Sequence, residues 1–307
     1  MHVLLISVLA LALGLFAPRE ASAQFNGCAP GFCGSYSGAL GCPAATAWLA
    51  RTSGLSTTET NAYIRLICVD MIPNGIGCSA WSGSSGNDDA IYIFATNTTA
   101  TANLNLCSSS YGVTVGAATV TFSGDHGYTG DGVTGYLDTN FNPTVGTPNF
   151  TLNAGFIAAY VLTNATSNVV LGQGTTSVAV YTYMDLGTTF QSPVNYASGT
   201  QGTSSETNAV GAWISNRSTA SAQQAYKNGS STPQWTDTTS NGGGPLYSNT
   251  FKILAATLGT SGAPSNFSGN QIAAVGIGGS KTGAQAAAWN NAINNYMTAL
   301  ALGINVY

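Results

Sequence analysis

Glycoside hydrolysis needs two carboxylates flanking the scissile bond, one as acid and one as nucleophile or base. Beyond residue 23 the chain holds only two glutamates, Glu59 and Glu206. Glu59 stands in Ser56-Thr57-Thr58-Glu59, the spacing of a helix capping box, which commits it to structure. Asp131 and Asp138 are the substitute pair. A serine hydrolase needs a base positioned beside its nucleophile. His126 is the one histidine after His2, and neither Gly-x-Ser-x-Gly nor the His-Glu-x-x-His of zinc proteases occurs.

A divalent cation is the next chemistry to weigh. Calcium takes about six to eight oxygens, several of them from carboxylates. Asp125, Asp131 and Asp138 cluster in sequence and are the candidate ligands, Asp125 and Asp131 foremost; Asn87-Asp88-Asp89 is a second cluster. Asp and Asn also populate turns for conformational reasons alone. A sugar ligand would be met by aromatic faces beside amide and carboxylate groups. Trp213, Trp235 and Tyr247 are the candidates: Trp235 and Tyr247 stand in loop-like sequence, and Trp213 alternates within a strand as core residues do.

The composition narrows the partners. Charged residues make up 6% of the 307, against about 25% in an ordinary soluble domain. Seven Lys and Arg form no basic run and the formal net charge is -4, so a nucleic-acid binder that tracks phosphates is excluded. With 44% hydrophobic residues, general disorder is excluded too. Val3 to Phe16 is an apolar run broken only by Ser7, shorter than the roughly 20 residues of a membrane span. Ala21-Ser22-Ala23 follows with the small-x-small pattern of a signal-peptidase site. Residues 1–23 are therefore expected to be a signal peptide, leaving an exported chain with no membrane span.

All six cysteines, Cys28, Cys33, Cys42, Cys68, Cys78 and Cys107, lie early. Export and an even count favour disulfides over zinc, whose usual close cysteine pairs are poorly matched. The Pro-Gly turn in Cys28-Ala-Pro-Gly-Phe-Cys33 makes that pair the local candidate, within an irregular arm over residues 24–42. Sequence leaves the remaining connectivity open.

These residues need a scaffold. Pro43 to Arg51 reads as a short helix, and Tyr63, Ile67 and Met71 repeat at spacing four until Pro73-Asn74-Gly75, giving a small helical element over 43–78. From residue 79 short apolar segments alternate with turns. The expected strands include Ala90–Phe94, Thr119–Phe122, Phe156–Leu162, Ser177–Met184, Ala209–Ser215 and Phe251–Leu258. Asn228-Gly229 is a strong type I′ hairpin signal. Thr282-Gly283-Ala284-Gln285 is a second capping box, and Trp289, Ile293, Tyr296 and Leu300 share one face of a helix expected over 282–302. The fold class is mainly β, an antiparallel sandwich over 79–307 with helices at both ends.

Several pieces together resemble a family of phage, prophage and bacterial proteins whose main domain is a concanavalin A-like, laminin-G-like jelly roll. They are Ala90–Ala95 with Ala102–Leu106; Val120–Phe122, Gly127–Gly132 and Tyr136–Pro143; Trp213–Arg217 with Tyr226–Gly229; and Asn266–Ser268, Gln271–Ala274 and Ile277–Gly279 before the terminal helix. The resemblance implies a jelly roll and leaves activity open, because such folds host enzymes, lectins and structural modules. Glucanases of that superfamily carry Glu-x-Asp-x-x-Glu on one strand, and neither Glu59 nor Glu206 stands in such a motif. The reading that follows is a non-enzymatic exported module for adhesion or decoration of a virion or cell surface. A secreted lectin, dependent on calcium if the aspartates bind it, is the alternative, and a glycoside hydrolase the third.

Overall fold

The computed structural model describes residues 41–165, 169–174, 182–186, 190–191, 193–196, 203–204, 207–238, 240–241, 243–257 and 262–300. The signal segment, the Cys28–Cys33 pair and Glu206 lie outside the described residues.

Pro43 opens α1 (Pro43–Leu49), in the first turn where its missing N–H would have no helical partner. At α2 (Thr57–Arg65) the capping box forms: Glu59 N donates to Ser56 Oγ at 3.1 Å and Ser56 N to Glu59 Oε2 at 2.9 Å. The chain continues through a π-helical turn, Leu66–Met71, and a 3-10 turn, Ile72–Asn74, and Gly75 at φ 64° ends it. Two disulfides hold this element. Cys42–Cys68 ties the start of α1 to the π turn, and Cys78–Cys107 ties the following loop to the segment after α3 (Thr99–Ala102).

The strands are β1 (Asp88–Ile93), β2 (Thr114–Val115), β3 (Thr121–Ser123), β4 (Gly127–Thr129), β5 (Leu137–Asp138), β6 (Gly155–Val161), β7 (Val169–Gln173), β8 (Thr182–Leu186) and β9 (Phe190–Gln191). They continue with β10 (Thr203–Ser204), β11 (Gly211–Thr219), β12 (Ala222–Lys227), β13 (Trp235–Asp237), β14 (Lys252–Ile253), β15 (Ala256–Thr257), β16 (Pro264–Ser265) and β17 (Gln271–Gly278). One sheet runs β13-β12-β11-β6-β17-β4-β3, with β1 also on β17. The second runs β10-β9-β8-β7-β14-β5-β2. All the pairings between these strands are antiparallel, so the molecule is a β-sandwich. No helix among the described residues is long and apolar enough to cross a membrane.

The central strands of the first sheet are buried on both faces. Phe156, Ala158 and Tyr160 of β6 pack toward the helices, while Ile157, Ala159 and Val161 pack into the space between the sheets. Its central strands therefore read as continuous apolar runs, not as alternating ones. Over the outer face lies α4 (Gly283–Ala299), capped by Thr282 and Gln285 and burying Trp289, Ile293 and Tyr296. Its neighbour β17 was not among the expected strands, although it pairs with β6 on one side and β1 on the other. Ala and Gly are poor strand formers, but here they make room. A Cβ on Gly276 would stand 2.8 Å from Trp289 Cζ2 and 3.1 Å from Phe156 Cζ. The Asn228-Gly229 turn forms, both residues at positive φ, with Ser230 N donating to Lys227 O.

Candidate functional site

A pocket of about 260 Å³ opens where β11 and β12 meet the start of α4. Strand alternation puts Gln224 and Tyr226 on the helix-facing side of β12, and Ser218 comes from the end of β11. Ser280, Lys281 and Thr282 come from the link between β17 and α4, and Gln285 from the first turn of α4.

The link is anchored from below. Lys281 N donates to Asn216 Oδ1 at 2.7 Å, and Asn216 Nδ2 donates to Lys281 O at 3.0 Å. The Lys281 ammonium runs inward, pairs with Asp88, donates to Asn87 Oδ1 and lies 4.4 Å from the Phe156 ring centroid. Both side chains of the Lys281–Asp88 pair are fully buried. Burial pushes the Asp88 carboxyl up, against the pull of Lys281 and of the Gly77 N–H.

What lines the pocket is uncharged apart from Lys281, whose head is spent beneath it. Gln224 Oε1 accepts from Asn216 Nδ2 at 3.2 Å, leaving its own N–H groups as donors. Gln285 closes the cap, accepting from Thr282 N and donating from Nε2 to Gly75 O. Burial pushes the Tyr226 phenol up, so it stays protonated and able to donate. The lining offers hydroxyls, amides and a phenol, groups able to exchange hydrogen bonds with a polyhydroxylated ligand, and includes no carboxylate.

The residues singled out from sequence lie elsewhere. Trp213 is no ligand platform: its ring is buried between the sheets, 4.3 Å from the Phe190 ring centroid, and its Nε1 donates to Ala209 O. Trp235 stands half-buried on edge strand β13 opposite Ala225, on the other face of the sheet from Tyr226. Tyr247 is half-buried in a loop.

The three aspartates do not converge either. Among the described residues no three acidic, imidazole or thiol groups are placed to hold a metal ion. Asp131 Oδ1 accepts from Val133 N, Thr134 N and Gly135 N at 2.7–2.9 Å, and Oδ2 from Thr134 Oγ1. Those donors hold its carboxyl well below the usual range. Asp138 pairs with Lys252 and accepts from Asn140 N. Both are engaged in holding loops. Asp125, at φ 62°, closes the β3–β4 turn, and burial and then the charge of Glu59 push its carboxyl up, with His126 opposing. Glu59 is itself buried, its Oε1 accepting from Thr96 Oγ1 and Asn97 N.

No protein-family model matches the chain, and no curated protein matches it. Several solved structures are similar. A Trypanosoma rangeli sialidase mutant displaying trans-sialidase activity aligns at TM-score 0.49 and 14% identity over 78% of this chain. Domain 4 of a GH43 extracellular arabinanase from Geobacillus stearothermophilus, in complex with arabinotriose, aligns at 0.37 and 14% over 66% of this chain and 97% of that one. A structure of botulinum neurotoxin type C, whose cell entry is dependent upon interaction with two ganglioside molecules, aligns at 0.43 and 13% over 67% of this chain and 52% of that one. This chain spans 38% of the sialidase. Glycoside hydrolases stand among these neighbours, against the expectation of a non-enzymatic chain. At such TM-scores and identities the neighbours assign no activity to this chain, and the phage origin finds no support among them.

Proposed function

We propose that this is an exported carbohydrate-binding β-sandwich that receives its ligand in the pocket between β12 and α4. The observation that carries the reading is the lining itself: the Ser218 and Ser280 hydroxyls, the Gln224 amide and the Tyr226 phenol, beside the Thr282–Gln285 cap and above the buried Lys281–Asp88 pair. Such groups match a sugar's hydroxyls as alternating donors and acceptors. Export is supported by two disulfides, which form and persist in oxidising compartments. The family resemblance adds the setting, a cell surface or virion that the module decorates.

The test is glycan-array binding of the purified protein, repeated in EDTA, with Ser218→Trp as the blocking variant. The reading predicts saturable binding that survives EDTA and weakens at least about tenfold in the variant, a loss of about 1.4 kcal/mol. Absence of binding to every glycan overturns it. Binding lost in EDTA would restore a metal and move the site elsewhere.

A further inference from the structure

A second hollow, of about 420 Å³, lies on the outward side of α4. Its floor is Ala284, Ala287, Ala288 and Asn291; Ser231, from the turn after β12, stands on one side, and Asp70 and Asn74 of the π and 3-10 turns on the other. The turn fits closely against the helix: a Cβ on Gly229 would stand 2.5 Å from Asn291 Oδ1. From Ala284 to Asn291 the floor runs about 10 Å along the helix axis. Between Gly283 and Ala299 α4 carries no charged residue, although helix surfaces of ordinary proteins are charged opposite their apolar stripe.

Asp70 organises one wall. Asn74 Nδ2 donates to Asp70 O at 2.8 Å, and Asn295 Nδ2 donates to Asp70 Oδ1 at 3.2 Å. Both amides thus spend a donor end on one residue, and among the described residues neither Oδ1 accepts a hydrogen bond. Each amide is left with its carbonyl oxygen as an acceptor. Arg65, the cation beside it, has its Nε 3.3 Å from Asp70 Oδ2 and is neutralised there. A wall of acceptors repels phosphate, sulfate and carboxylate and welcomes N–H and O–H groups. An alanine floor has no ring to stack a sugar on, but it has a small apolar surface that seats a methyl group. The π turn that brings Asp70 here is a rare element, and such turns frequently occur at functional sites.

We infer that this groove is a specificity subsite for neutral saccharides bearing acetamido groups, the N–H donating to the Asn295 or Asn74 carbonyl and the methyl resting on Ala287 and Ala288. The inference rests on the carbohydrate-binding reading, since the groove adjoins the first pocket across Gly283, where Ser231 O meets the start of α4. It adds that acidic sugars are refused.

Calorimetric titration of the full protein with triacetylchitotriose, cellotriose and sialyllactose tests it. Expected is saturable binding of triacetylchitotriose, at least about tenfold weaker binding of cellotriose, and none of sialyllactose. Ala288→Trp should weaken triacetylchitotriose about tenfold or more, and Asn291→Ala, a smaller change at an exposed position, by a few fold; thermal melts establish that each variant folds. Sialyllactose or cellotriose binding as well as triacetylchitotriose overturns the inference. So does a triacetylchitotriose affinity that Ser218→Trp lowers and both groove variants leave intact, an outcome that leaves the first pocket standing. If no saccharide binds, both readings fail together.

Discussion

Replacing Lys281 by Met removes one member of an ion pair that has no access to water. The methionine keeps the stem of the side chain, gives up the ammonium's contact with the Phe156 ring, and leaves the backbone bonds to Asn216 untouched. What remains is Asp88 with one hydrogen bond, from Gly77 N at 3.0 Å to Oδ2, while Oδ1 has no hydrogen-bond partner. Leaving a buried charge unpaired costs about 3–5 kcal/mol, and the orphaned Oδ1 puts this case near 4. In urea unfolding, a loss of that size moves the midpoint down by more than about 1 M. The pH dependence has a definite sign. The folded-state pKa of Asp88 already lies above its ordinary value of 3.8, and losing Lys281 raises it further. The folded variant therefore holds a proton that the unfolded chain releases, so the deficit is smallest below the ordinary carboxylate value and grows as pH rises through it. Asp88→Asn added to Lys281→Met removes the stranded charge while an amide oxygen still accepts from Gly77. The double variant should recover about half of the loss or more. A single variant within about 1 kcal/mol of wild type at pH 7, or a double variant no better than the single, would refute this account.

Four further outcomes follow from the same structure. Replacing Cys42 and Cys68 by Ala opens a 26-residue loop and should lower unfolding free energy by about 3.5 kcal/mol in the chain-entropy treatment, measured by denaturant titration. Asp125→Asn keeps a residue type that tolerates positive φ and removes a charge facing Glu59; it should raise the melting temperature at pH 7 and do nothing at pH 3, where Asp125 is already protonated. Asp131→Asn should lower the melting temperature at pH 7, and the gap should close as pH falls below the usual carboxylate range, because the depressed carboxyl contributes only while ionised. Gly276→Ala forces a methyl against Trp289 and Phe156 and should cost about 1–3 kcal/mol, read as a urea midpoint shift.

Where local chemistry alone sets the structure, the sequence is readable. Ser56 with Glu59 and Thr282 with Gln285 cap their helices as their spacing announces, and Asn228-Gly229 turns the chain at positive φ. Ala90–Phe94, Phe156–Leu162 and Ala209–Ser215 are near-continuous apolar runs because their sheet has a core on each face. The central strand β17 hides for the opposite reason. Gln271–Gly278 has Ala and Gly at half its positions, poor strand formers that are chosen here for the closeness of α4. Propensity is a local signal, and the packing of Trp289 into Gly276 is not.

The candidate site escaped the sequence for a related reason. Searching for chemistry favours carboxylates, histidine and exposed tryptophan, and in this chain those groups are spent on structure: Glu59 on a cap, Asp131 on its own loop, Asp138 on Lys252, Trp213 on the core. What lines the proposed site is what the composition has in excess, amides and hydroxyls, which carry no recognisable spacing. Their arrangement depends on the contact of β12 with α4 and on the π turn at Asp70, both products of the assembled fold. One compositional signal pointed there. A helix as long as Gly283–Ala299 without one charge has an outer face built of Ala and Asn. Such a face lacks the strongly hydrated charges that keep an ordinary helix surface wet, which lowers the desolvation cost of laying a neutral, hydroxyl-bearing ligand along it.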